Sequence, residues 1–168
     1  NQVASDLKVW LIARQHPGET MAEWFVDGFL RRLLDWQDPL SRALLEHATF
    51  YIVPNMNPDG SVHGNLRTNA AGANLNREWM TPTMERSPEV FLVKQKMHEI
   101  GCDLFLDVHG DEGLPYVFVA GSDALENFTP AQKAEQDRFI ADFKVASPDF
   151  QDKFGYAASK YKSDMLTL

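Results

Sequence analysis

Cysteine is nearly absent: Cys102 is the only one in 168 residues. An internal disulfide is excluded, as is a metal site built from several thiolates. Such cysteine usage suits a reducing compartment, and a cytoplasmic location is expected. Basic residues are in deficit, 16 Lys and Arg against 24 Asp and Glu, for a net charge of −8. That balance argues against nucleic acid or an anionic membrane as partner, so neither is expected. It says little about a small pocket, whose local charge can oppose the average. The longest apolar runs are far shorter than the roughly 20 residues a membrane helix needs, and no signal peptide is visible. Repeats, low-complexity tracts and linkers are also missing, so no domain boundary is drawn. An initiator methionine is lacking at Asn1, and the chain is read as part of a longer protein.

What is present suffices for one substantial core: 44% hydrophobic and 11% aromatic residues. Leu7 to Ile12, Thr49 to Val53, Leu104 to Val108 and Tyr116 to Val119 are short apolar runs that read as strands. Between them lie helical patterns. Met21, Ala22, Phe25, Phe29, Leu30 and Leu33 recur at helical spacing in a helix running to about Trp36. Pro39 to His47 supplies a short second helix. Ser87-Pro88 starts another, which Gly101 stops, and Thr129-Pro130 opens one through Phe143. Strands separated by helices indicate a three-layer α/β fold, in which ligand sites lie beyond the carboxyl ends of strands.

Two histidines fall at such ends. His16-Pro17-Gly18-Glu19 follows the first strand, and Gly18 is expected to let the backbone turn tightly between His16 and Glu19. An imidazole and a carboxylate three residues apart can converge on one zinc ion. By themselves they can equally be a loop histidine and a helix N-terminal glutamate that complements the dipole. His109, at the end of Leu104 to Val108, supplies a third ligand and favours the metal. Three protein ligands with an open position are the arrangement of a catalytic zinc site. Glu112, three residues beyond His109, is a weaker rival ligand. Asp107 could orient an imidazole, although strand alternation leaves its direction unsettled. His47 and His98 read as surface residues, and His63 as structural or substrate-facing.

The His-x-x-Glu pair, Asn57-Pro58-Asp59-Gly60, Asn76-Arg77 and the later strand-end histidine resemble the zinc carboxypeptidases of the carboxypeptidase A superfamily. The form His16-Pro17-Gly18-Glu19, with the run from Pro54 to Trp79, resembles the cytosolic carboxypeptidases and their bacterial relatives. The resemblance covers about Leu7 to Ala120. It implies a mixed, twisted sheet with helices on both faces, here incomplete at its C-terminal end, so that residues 1–168 are the N-terminal part of one catalytic domain. It also implies one zinc per chain on His16, Glu19 and His109, and hydrolysis of the C-terminal peptide bond of peptides or protein tails.

Residues 55–79 form a long connection with five asparagines besides Asn55, and a connection of that length is usually functional. Matched to the family, Asn76 and Arg77 bind the substrate's terminal carboxylate through a planar guanidinium suited to paired hydrogen bonds. Arg67 stabilises the tetrahedral oxyanion. Asn57-Pro58-Asp59-Gly60 is read as a turn without chemistry. The family's general-base glutamate lies late in the domain, and none of Asp149, Asp152 or Asp164 stands in a matching context. Residues 1–168 alone are therefore expected to be inactive. The alternatives are a zinc deacylase of small N-acyl amino acids on the same fold, and a binding module without turnover.

Overall fold

The computed structural model describes residues 7–122, 125 and 127–156. They form two compact units divided between Gly110 and Asp111. The first contains β1 (Leu7–Ala13), α1 (Thr20–Leu33), α2 (Pro39–His47), β2 (Ala48–Val53), α3 (Pro58–His63), a single 3-10 turn (Leu75–Arg77), α4 (Pro88–Ile100) and β3 (Leu104–Val108). The second contains α5 (Pro130–Ala146).

The sheet has the order β2-β1-β3. Leu11 pairs with Ile52 on one side and Leu106 on the other, all three strands running parallel. The antiparallel members of the expected mixed sheet are not among the described residues. β1 is central and covered on both faces, which is why its sequence is almost continuously apolar. Residues 9–13 are all buried, each large apolar side chain contributing about 1.5–3 kcal/mol of burial. On one face Leu11 and Ala13 pack with Ala22 and Val26 of α1, joined by Ile52, Leu106 and Val108. On the other, Trp10 stacks on Tyr51 at 4.7 Å and donates its indole N–H to Gly101 O at the end of α4 (2.9 Å). Phe105 on that face packs against Trp79 (5.8 Å). Helices thus cover both faces.

The helix boundaries follow local chemistry. Asp38 caps α2, accepting from Leu40 N at 2.9 Å, with Pro39 in the first position. Thr129 and Gln132 form a reciprocal capping box on α5. Ser87 occupies the N-cap of α4 without capping; its hydroxyl instead accepts from Thr83 N at 3.4 Å. His98 and Glu99 lie exposed on α4, as expected.

Four expectations need correction. α1 ends at Leu33, and Trp36 is exposed beyond it. The face of α1 against the sheet runs through Ala22, Val26, Phe29, Leu30 and Leu33, while Met21 and Phe25 sit half-exposed at its edge. Spacing alone admits either stripe; the smaller Ala22 and Val26 let the helix approach the strands. Asn57-Pro58-Asp59-Gly60 is the capped start of α3, Asn57 accepting from Gly60 N at 3.1 Å. Tyr116 to Val119 is not a strand: in the second unit Val117 makes one bridge, to Phe150. A strand needs a partner along its length, and here Tyr116 stacks on Phe154 and Phe118 meets Tyr156 edge-on.

Parallel pairing puts the carboxyl ends of β1, β2 and β3 on one edge. Met56 N reaches Ala13 O there at 2.8 Å, and Arg14 N reaches Val108 O at 3.4 Å.

Candidate metal centre

Beyond Ala13 the chain turns at Arg14, whose φ of 56° is unusual for a residue with a side chain. The guanidinium fastens the turn, with Nε donating to Pro17 O at 3.0 Å and Nη1 paired with Glu23. The turn buries Gln15 and His16. Gly18 sits in that turn without a positive φ. It supplies space: a Cβ would stand 2.7 Å from a Leu66 side-chain carbon and 2.9 Å from Leu66 O. That carbonyl accepts the Gly18 N–H at 2.9 Å and ties the long connection to the His16–Glu19 turn.

Glu19 is the N-cap residue of α1, yet its side chain makes no capping bond. The carboxylate is turned to the histidines instead. Oε1 lies 2.6 Å from His16 Nδ1, Oε2 lies 2.9 Å from His109 Nδ1, and Gly110 N donates to Oε2 at 3.0 Å. The two imidazole rings are 4.9 Å apart. Among the described residues, His16, Glu19 and His109 form a cluster with one ligand atom from each within 4.8 Å of the others. The ordinary-cap reading of Glu19 therefore gives way.

The outer nitrogens are also tied down. His16 Nε2 lies 3.0 Å from Asn74 Oδ1, an oxygen that also accepts Asn76 N–H at 3.1 Å. His109 Nε2 bonds Asp107 Oδ2, which settles the direction of the Asp107 side chain. A ligating histidine held this way by its second nitrogen presents a lone pair at the first. With Nε2 of His16 donating to Asn74, Nδ1 and Glu19 Oε1 are two acceptors facing each other across 2.6 Å. A metal cation shared between them relieves that opposition. Two imidazole nitrogens and a carboxylate are donors that zinc takes. The residues fit the metal.

Burial disfavours the Glu19 carboxylate, but hydrogen bonds from His109, His16 and Gly110 N–H outweigh it and bring its pKa down to about 2. Burial likewise opposes the His109 cation. Hydrogen bonds to Asp107 and Glu19, with the charges of both, win and push His109 up to about 10. Without metal, a proton on His109 takes the place of positive charge at the centre.

Neighbours of the two arginines are tied to this centre, Leu66 to Gly18 and Asn74 to His16. Arg67 follows Leu66, is exposed, and makes no hydrogen bond or ion pair among the described residues. Asn76 and Arg77 lie on the 3-10 turn that Asn74 opens, and Asn74 touches His16. Arg77 is exposed, with Nη1 donating to Asn76 O at 2.7 Å. Asn76 Oδ1 is buried without a hydrogen-bond partner among the described residues. His47, His63 and His98 are exposed. Asn74 and Gln15 carry roles that their sequence context did not assign. The available signals were the asparagine-rich connection, and a glutamine directly before the first histidine.

What these side chains can hold together is one divalent ion with part of its coordination sphere left open, the working state of a mononuclear metalloenzyme. The chain belongs to the zinc carboxypeptidase family, whose sequence profile matches residues 3–165. A metallo-carboxypeptidase of Burkholderia cenocepacia is 65% identical, with a TM-score of 0.93 over 99% of this chain and 44% of its own. A Pseudomonas aeruginosa metallo-carboxypeptidase in complex with (2-guanidinoethylmercapto)succinic acid is 51% identical, with a TM-score of 0.88 over 94% of this chain and 42% of its own. Mouse cytosolic carboxypeptidase 4 is 35% identical over 126 residues, 72% of this chain and 11% of its own length. The chain thus spans less than half of each of these relatives.

Proposed function

We propose that the protein is a zinc metallocarboxypeptidase that hydrolyses the C-terminal peptide bond of peptides or protein tails. The observation that carries this is the attachment of the Asn74–Arg77 segment to the His16, Glu19 and His109 cluster through the His16–Asn74 contact. A cluster fit for one metal is tied to a segment that carries a guanidinium fit for a carboxylate. When bound, zinc supplies Lewis acidity and an activated water.

The chain's own residues do the rest. Asn74 and Asp107 hold the Nε2 protons of His16 and His109, so that both Nδ1 atoms face inward. Arg77 grips the free carboxylate of the last residue. The Asn76 amide supports this: turned over, it presents its NH2 group at the buried position now without a partner, complementary to a carboxylate. Arg67, free of internal ion pairs, is available to the developing oxyanion. The succinic acid bound by the P. aeruginosa relative also carries carboxylates. No helix among the described residues is long and apolar enough to cross a membrane. The likeness to cytosolic carboxypeptidases supports a cytoplasmic site of action.

The test compares the complete enzyme on one peptide ending in carboxylate and the same peptide ending in amide. The amide is expected to be turned over far more slowly. Equal rates on both would reject the exopeptidase assignment.

A further inference from the structure

Gln15 is fully buried next to His16, and its amide bridges two groups, the Asp107 carboxylate and the Trp79 indole. Nε2 donates to Asp107 Oδ2 at 2.8 Å, the same oxygen that holds His109 Nε2. Oε1 accepts the indole N–H of Trp79 at 2.9 Å. The orientation of this amide is fixed by chemistry. An indole nitrogen is only a donor and a carboxylate only an acceptor, so one amide orientation satisfies both. Glutamate at this position would set a second anion against Asp107. Methionine would fill the space and make neither bond, and asparagine is one methylene shorter.

The root of the bridge and its indole end are themselves anchored. Asn57 Nδ2 donates to Gln15 O at 2.9 Å, from a buried side chain that also caps α3. Trp79 is buried against Phe105, and Lys94 of α4 donates to its carbonyl at 2.6 Å. Trp79 stands two residues after Arg77. The opposite oxygen, Asp107 Oδ1, is buried with no hydrogen-bond partner among the described residues. No bond at Oδ1 fixes the rotation of this carboxylate, so its direction depends on the two donors sharing Oδ2.

We propose that Gln15 is a positioning residue: it aims Asp107 at His109 and couples the metal-holding histidine to Trp79, the anchor of the segment that carries Asn76 and Arg77. This rests on the reading of His16, Glu19 and His109 as metal ligands. Gln15 is not among the three clustered ligand residues. It acts through Asp107, and its loss frees that carboxylate to rotate away from His109 Nε2, leaving the imidazole less well oriented and less basic toward a metal.

The experiment uses the full-length protein with Gln15→Met, Trp79→Phe and, as control, His16→Ala. Zinc affinity is measured by competition with a chelator, and the absorption spectrum is recorded with cobalt in place of zinc. Gln15→Met is expected to weaken zinc by about 10- to 100-fold, the usual effect of losing a group behind a ligand, and to shift the cobalt bands. Trp79→Phe keeps an aromatic ring and removes the indole N–H together with the pyrrole half of the side chain, so its cost in stability is read separately from its effect on zinc. It is expected to move both readouts the same way by less, and it carries the test if Gln15→Met does not fold. A purely structural role would lower the melting temperature of metal-free and zinc-loaded protein equally; the positioning role predicts a smaller stabilisation by zinc. Folded variants with wild-type affinity and spectra, beside a His16→Ala that has lost zinc, would overturn the role of Gln15 alone. Full zinc retention by His16→Ala would remove the metal reading and the proposal with it.

Discussion

Asp107 and His109, two residues apart at the end of β3, hold each other: Asp107 Oδ2 accepts from His109 Nε2. Alternation along a strand sends residues i and i+2 to the same side, so the end of β3 can deliver a ligand and its own orienting partner together. Glu19 binds the opposite nitrogen of the same ring at 2.9 Å. Two anions therefore flank one imidazole, and that arrangement governs how the centre responds to pH and to substitution.

Zinc uptake should release a proton. With His109 raised to about 10 and Glu19 lowered to about 2, the metal-free centre at pH 8 carries a protonated His109 and an ionised Glu19. Metal must displace the His109 proton, while Glu19 has none to give. Calorimetric titration of zinc at pH 8, in buffers of different ionisation heat, should show net proton release attributable to His109. A heat independent of buffer would contradict it.

The same shifts set the pH limits of the metal-free protein. Glu19 is lowered from 4.5, so its contribution is present above that value and is lost as pH falls toward about 2. His109 is raised from 6.5, so its contribution is complete below that value and is lost as pH rises through about 10. Asp107→Asn keeps an oxygen for both donors and removes the charge. His109 should then titrate well below about 10 by NMR, and zinc affinity should fall by roughly 10-fold. An unmoved His109 would show that Glu19 alone sustains the shift.

Much of this was legible before any coordinates. Proline, serine and glycine mark the ends of α4, and Leu104 to Val108 is a strand with the bounds its apolar run suggests. That His16, Glu19 and His109 come together was readable because strand-end placement and ligand chemistry agree. Gln15 and Asn74 were not, because an amide says nothing of its partners until the fold brings a carboxylate, an indole or an imidazole beside it. Val26 rather than Phe25 faces the sheet because close approach selects the smaller side chain, a tertiary demand that helical spacing does not encode. Tyr116 to Val119 has strand composition, yet composition cannot provide the neighbouring strand.

Two glycines at the centre should differ in their tolerance of alanine. At Gly18 the new Cβ meets Leu66 O at 2.9 Å, a backbone atom already bonded to Gly18 N. Gly18→Ala should destabilise by about 1–3 kcal/mol, as overpacking does, and should weaken zinc by moving His16 against Glu19. At Gly110 the obstruction is the Met21 thioether, the flexible end of a half-exposed side chain. Gly110→Ala should be milder, and adding Met21→Ala should restore its stability in denaturant unfolding. An equal effect at both sites, unrelieved by Met21→Ala, would count against close approach as the cause.

Arg67 and Arg77 should separate kinetically in the complete enzyme. A residue that grips the terminal carboxylate acts on bound substrate as well as on the transition state. Arg77→Ala should therefore raise KM strongly, with a loss of roughly 2–5 kcal/mol in kcat/KM for a charge-assisted contact. It should also narrow the difference between carboxylate- and amide-ended peptides. A residue that meets only the developing oxyanion leaves ground-state binding alone. Arg67→Ala should lower kcat and kcat/KM together, by about 10²- to 10³-fold, with KM little changed. Both side chains are exposed, so neither substitution should disturb folding, and zinc content should stay at the wild-type level. Arg67 is exposed and makes no ion pair among the described residues, which argues against a purely structural explanation of a kcat effect. Should Arg67→Ala instead raise KM and leave kcat intact, Arg67 would belong to substrate anchoring and the oxyanion role would have to be sought elsewhere.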